Sequence, residues 1–457
     1  MTKDRTGERG ARRWRRDQGT VLIVTMWVIL VLAGLVLVFA HAMRVEAMAS
    51  ANRLAALEAD AAAKGALAFV LSVVDGTDGS TETLSEIEWE GRSVGDGFFW
   101  LLHPNLEEDD TCTFGVMDEA SRINLNSASG DTLLKLPGMT AELADAIIDW
   151  RDEDADISPS GAESEYYLLQ EEPYYCKDAP LETVEELLLV RGASKAILYG
   201  EDTNRNGVLD DNENDADASM PGDNRDGSLD RGFLDYVTVY SAESNLAADG
   251  QERVNVNQVD TQELSGLLDD VISDDRLFAV LQDVRRRRPY ANVLDFYFRS
   301  GLTMEEFAQI ADRVTTVSEE ERAGLVNVNT APRDVLLCLP ELDESDVDAL
   351  LSARSGTGTD LSSIAWVADA LPQEKAVAIG SFITSRSYQF SADIVAASGD
   401  GRAYRRYRAV IDARQAPARV IRWQDLTHLG WPLDPQTMTA LQRGEYGLDS
   451  GFSASLQ

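Results

Sequence analysis

The chain has 457 residues, 44% of them hydrophobic, enough for two to four packed domains and too many for wholesale disorder. With 79 acidic against 41 basic residues its formal charge is −38, which sets it against phosphate backbones and argues against nucleic-acid binding. Three cysteines, Cys112, Cys176 and Cys338, exclude a disulfide-dense scaffold. Cys338 sits in an apolar run and reads as a core thiol, so Cys112 with Cys176 is the pair an oxidising compartment would favour.

Residues 1–19 hold seven basic and three acidic residues, a net +4 that leaves −42 on the rest. Residues 20–43 contain no charged side chain. As a helix they would span ~36 Å, more than a ~30 Å hydrocarbon core. The basic leader would stay cytoplasmic and the rest of the chain would lie across the membrane. A cleaved secretory signal, cut after Ala42, competes with this reading, but the apolar stretch exceeds the usual ~7–15 residues and helix formers continue beyond it. One helix is therefore expected over residues 20–74, transmembrane over 20–43 and an amphipathic stem over 44–75.

A basic leader ending in Gly19 and running into an apolar helix resembles the type IV pilin and pseudopilin family. The resemblance implies cleavage by a prepilin peptidase between Gly19 and Thr20, with methylation of the new N-terminus. Most members carry glutamate at the fifth mature position. Val24 stands there in this chain, as in the minor pseudopilin subgroup of type II secretion called general secretion pathway protein K.

Three segments repeat an Asn-x-Asn pattern: Asn124 and Asn126, Asn255 and Asn257, Asn327 and Asn329. Each has apolar residues alternating with Asn, then a helical period, which predicts a short extended piece, a Ser or Thr cap and two short helices around a tight turn. Such helix-hairpin-helix-like modules can bind DNA through basic turns. Acids such as Glu142, Glu341 and Asp343 occupy those places here, and the basic run Arg285 to Arg288 reads as a solvated helix end. A packing or protein-interaction module is the better expectation. Residues 117–126, 143–152, 183–192 and 326–331 resemble the protein K family, and the likeness runs from residue 19 to about residue 430.

Residues 202–213 meet the side-chain demands of a 12-residue calcium loop. Asp202, Asn204, Asn206, Asp210 and Glu213 supply oxygens, Gly207 makes the turn, and Val208 would lend its carbonyl. A weaker candidate, Asp223, Asp226 and Asp230, lacks the standard spacing, so one structural calcium ion is expected and a second is left open. Residues 233–240 are expected as a strand. Alternation at Tyr388, Phe390, Ala392 and Ile394, then Tyr407, Ala409 and Ile411, then 420–423, predicts an antiparallel meander. The histidines His41, His103 and His428 form no catalytic pattern, so no enzyme is expected; a calcium-dependent hydrolase is a minor alternative.

The expected fold class is α+β: a transmembrane and stem helix, a pilin-like antiparallel domain over 76–115 and 385–433, and a large helical insertion. The insertion comprises a first helical module at 116–200, the acidic loop and strand at 201–240, and second and third modules at 241–384. Residues 434–457 are expected as a loosely ordered tail. By resemblance the partners are the minor pseudopilins I and J and the prepilin peptidase, and the role is at the pseudopilus tip. A generic membrane-anchored, calcium-stabilised binding module at the cell surface is the alternative.

Overall fold

A computed structural model describes residues 11–106, 111–216, 218, 222–258 and 260–446. Much of the expected leader, residues 1–10, lies outside them, as do residues 447–457 of the expected tail. The first element is a 64-residue helix, Ala11–Val74. Ala, Leu, Glu and Arg favour it, no proline interrupts it, and Gly76 and Gly79 follow its end. Residues 19–48 of it are exposed, including Val21, Trp27, Leu32 and Phe39. From Ala55 onward a stripe of Ala55, Ala59, Ala62, Ala63, Ala66, Val70 and Val74 is buried. The spacing places these side chains on one helix face, and their small size lets a sheet lie close.

That sheet has the order Arg92–Val94, Gly97–His103, Gln389–Ala397, Tyr404–Asp412 and Arg419–Asp425, with antiparallel neighbours. The meander is as expected. Its central strand, Gln389–Ala397, is buried at all nine positions. Phe390, Ala392, Ile394 and Ala396 meet the stem stripe, while Val395 and Ala397 face the opposite layer with Trp100, Leu102 and Leu433. The sheet pairs Ile394 with Leu101, so two distant stretches of chain close one domain around an insertion. The fold is the expected α+β class.

The tail departs from expectation. Pro435–Arg443 is a helix, capped by Asp434 and ended by Gly444 at φ +68°. Leu441 is fully buried in the second layer beside Trp100. About two and a half turns with few apolar residues do not stand out by period, and burial on the sheet supplies what propensity does not.

Inside the insertion each Asn-x-Asn segment is half of a two-stranded parallel pair. Ile123–Asn124 pairs with Val237–Thr238, Val254–Asn255 with Val314–Thr315, and Val326–Asn327 with Ile383–Thr384. The second partners share a pattern that the repeat analysis did not find: an apolar residue, Thr, two residues, then Ser. Asn124 Nδ2 donates to Ser241 Oγ at 3.1 Å, Asn255 Nδ2 to Ser318 Oγ at 3.1 Å, and Asn327 Nδ2 to Ser387 Oγ at 2.8 Å. Each of these Asn residues also accepts the N–H of the next Asn through Oδ1. The second Asn of each pair bridges a distant loop, donating to the carbonyls of Leu181, Tyr290 and Leu361. The expected 233–240 strand shrinks to a 3-10 turn, Leu234–Tyr236, and the two-residue strand Val237–Thr238.

The first and third helix pairs form as expected: Gly130–Leu133 with Ala141–Arg151, and Arg333–Leu337 with Glu344–Arg354. Gly138 at φ +71° and Glu341 at φ +59° make the turns. The leading caps differ from a uniform Ser or Thr, being Ser129, Asp260 and Pro332. Asn327 is fully buried and also donates to Asp118 Oδ2 at 3.0 Å. Asn327→Leu should therefore cost about 1–3 kcal/mol, because Ser387 and Asp118 lose a buried partner. Urea unfolding measures this, and a loss below ~0.5 kcal/mol would contradict the role.

The expected Cys112–Cys176 pairing is not formed. All three thiols are free, and Cys112 packs in the sheet's second layer whereas Cys176 and Cys338 lie in the helical core. The two partners belong to different cores, a separation that sequence order does not reveal.

Candidate metal centre

The loop over residues 202–213 leaves the short helix Lys195–Tyr199 through Gly200 at φ +60°. Asp202 turns back on the loop, its Oδ1 accepting from Asn206 N at 3.1 Å and its Oδ2 from Gly207 N at 2.9 Å. Gly207 has φ +73°, and a Cβ there would stand 2.9 Å from Pro104 Cβ, so the position is closed to other residues on two grounds. Glu213 closes the loop: Oε1 accepts from Thr203 N at 3.0 Å and Oε2 from Asp210 N at 3.2 Å. Asn204 and Asn206 each donate from Nδ2 to Asp210 Oδ2, at 2.6 and 3.1 Å. Val208 donates its N–H to Asn206 Oδ1 at 2.8 Å.

Asp202, Asn204, Asn206, Asp210 and Glu213 are thus joined in one hydrogen-bonded network. Asp202, Asn206 and Glu213 are almost wholly buried. Burial, with Asp235 nearby, pushes the Asp202 carboxyl up to about 6. Burial, with Asp202 and Asp210 nearby, pushes Glu213 up to about 7. Carboxylates gathered out of water and against one another disfavour their own charged form, which is the condition a bound cation relieves. The donor set is all hard oxygen, since each amide can turn its oxygen toward an ion, and that chemistry suits calcium.

The weaker candidate is arranged otherwise. Asp226 Oδ1 accepts from Ser228 N and Asp230 Oδ1 from Gly232 N, each within its own turn, while Asp223 Oδ2 accepts from Ala216 N. Glu201, absent from the sequence-based candidate set, binds this segment by accepting from Asn224 N at 2.6 Å and Asp230 N at 3.4 Å.

The first loop is fastened to the sheet. Arg406, on the strand beside the central one, is fully buried and donates to the carbonyls of Asn204 and Arg205. Its Nη2 pairs with Asp393 on the central strand at 2.9 Å, and Arg408 reaches the same carboxylate at 3.1 Å. Asn206 Nδ2 also donates to Pro432 O at 3.1 Å, and Arg231 to Gly207 O at 3.1 Å. Sequence reasoning missed these arginines because nothing in their alternating strand marks them as facing a loop some 200 positions away.

The expected processing site, Gly19 and Thr20, lies exposed within the long helix. From Gly19 onward that helix is long and apolar enough to cross a membrane, with a mean hydropathy of 3.0 over its best window and none of that window buried. Residues 120–199, the module immediately before the calcium-type loop, match the family model for type II secretion system (T2SS), protein K. Over those residues the chain is similar to the protein K family. A chain in the crystal structure of the GspK–GspI–GspJ complex, from the type 2 secretion system of enterotoxigenic Escherichia coli, aligns at 12% identity with a TM-score of 0.40. The alignment covers 84% of this chain and 98% of that one. No curated protein matches. The matched module is built on the first Asn-x-Asn segment and the helix Ala141–Arg151, whose Leu143, Ala144, Ile147 and Trp150 are buried together.

Proposed function

We propose that this chain is a minor pseudopilin of the type II secretion system, anchored in the inner membrane by its N-terminal helix with its bulk in the periplasm. The observation that carries the proposal is the position of the matched module: it lies within an insertion into a stem-helix and antiparallel-sheet domain. In a filament whose subunits pack stem against stem, so large an insertion leaves little room for a subunit above. The chain would then sit at the pseudopilus tip, start assembly with the minor pseudopilins I and J, and serve export of folded proteins across the outer membrane. The absence of a carboxylate at Val24 suits a subunit with no neighbour above to pair with. The role is structural rather than catalytic, and the loop over 202–213 would hold a structural calcium ion.

Processing tests this reading. Co-expression with a prepilin peptidase should give a mature N-terminus at methylated Thr20 by mass spectrometry, and Gly19→Leu should leave the precursor uncut. An intact Met1, or a cut after Ala42, would instead support the generic membrane-anchored module. Failure of the mature chain to co-purify with subunits I and J would remove the tip role.

A further inference from the structure

We propose that Glu163, Cys176 and Asp178 form a thiolate-containing site for a divalent cation of the zinc class, distinct from the calcium-type loop. One ligand atom from each, a carboxylate oxygen of Glu163, Sγ of Cys176 and a carboxylate oxygen of Asp178, lies within 4.8 Å of the others. Ligands of one tetrahedral zinc ion stand about 3.3–3.8 Å apart, so small side-chain movements close the set.

An independent observation points to a missing cation. Glu163 is 5% exposed, and its Oε1 is buried without a hydrogen-bond partner. Asp152 Oδ1 is buried and unpartnered as well. Asp178, Asp149 and Asp152 place further negative charge around Glu163. The basic side chains next to these residues in sequence are directed elsewhere: Arg151 donates to the carbonyls of Leu125 and Ala128, and Lys177 pairs with Glu186 at 2.9 Å. An orphaned buried carboxylate oxygen among acids is costly unless a positive charge joins it.

The frame around the site is held in place. Cys176 N donates to Ser164 Oγ at 2.9 Å, and the thiol donates to Asp149 O at 3.6 Å. Asp178 is exposed, which gives an ion a path inward and leaves a coordination position for water. The sulfur selects the ion: calcium takes oxygen ligands, whereas thiolate with carboxylate suits zinc or cobalt. As the sulfur–metal bond forms, the Cys176 S–H bond breaks and its proton passes to solvent, one per ion bound.

Cobalt(II) reports such a site directly. The full-length chain in detergent, reduced and saturated with calcium, should develop a thiolate-to-cobalt charge-transfer band in the near ultraviolet, and zinc should displace it. Cys176→Ser should abolish the band and Cys112→Ser should leave it unchanged. Asp178→Asn, at an exposed position compatible with folding, should weaken cobalt binding at least ~10-fold. No band from natively folded protein, a band that survives Cys176→Ser, or an unchanged affinity in Asp178→Asn would each overturn the proposal. Because calcium is saturating and the signal needs sulfur, failure here is separate from failure of the calcium loop.

Discussion

Replacing Asp393 by Asn should destabilise the sheet domain by about 3–5 kcal/mol, the order expected when one partner of a buried ion pair is removed. Asp393 is almost fully buried and accepts from Arg406 Nε at 2.9 Å, Arg406 Nη2 at 2.9 Å and Arg408 Nη2 at 3.1 Å. The variant leaves two arginines, one with no exposure at all, beside a neutral amide. Burial works against the Asp393 charge, but Arg406 and then Arg408 outweigh it and hold the carboxyl below its ordinary value. A lowered carboxyl stabilises the fold above its unfolded pKa of about 3.8, and that contribution fades as pH falls below it. The acid limb of the wild-type stability curve should therefore be shallower in the variant. Arg406 also carries the carbonyls of Asn204 and Arg205, so calcium affinity should fall together with stability. Urea unfolding at pH 7 measures the first effect and calcium titration the second. A stability loss below ~1 kcal/mol would show that the pair is not what fastens the loop to the sheet.

Chelating calcium should lower the melting temperature by about 5–10 °C. A ligand present at 100 times its dissociation constant stabilises by ~2.7 kcal/mol, and each kcal/mol moves the midpoint of a domain this large by about 2–4 °C. The response should depend on pH in a direction set by Asp202 and Glu213. In the chelated protein these groups hold protons up to about 6 and about 7, whereas the unfolded chain releases them near 3.8 and 4.5. Between about pH 4 and 7 the folded state binds more protons, so its stability falls as pH rises through that window. Saturating calcium should flatten this slope, since the ion favours the charged forms. Glu213→Gln should remove part of the slope without calcium and most of the calcium response. An unchanged melt in chelator at pH 7 would argue that the network of five side chains needs no ion.

Much of this molecule was legible because its signals are local. A charge-free apolar run followed by an alanine-rich amphipathic one specifies the long helix whatever surrounds it. Residues 202–213 carry their oxygen-bearing side chains, turn glycine and closing glutamate within one short segment, and those side chains do converge. The Asn-x-Asn segments were visible as repeats, but their Thr and Ser partners lie 57–117 positions away in segments that share only an apolar residue, Thr and Ser. The helix Pro435–Arg443 was hidden for a related reason: its evidence is the sheet face that buries Leu441.

The sequence by itself determined the long apolar helix, the stem, the repeating modules and the clustered oxygens of a calcium-type loop, because each is written in spacing along the chain. Only the tertiary structure decided that Gly97–His103 and Gln389–Ala397 lie side by side, that Arg406 fastens the loop to that sheet, and that Cys112 and Cys176 belong to separate cores. It also gathered Glu163, Cys176 and Asp178. These pairings depend on burial and on hydrogen-bond satisfaction between distant segments, and spacing along the chain carries no record of which segments will meet.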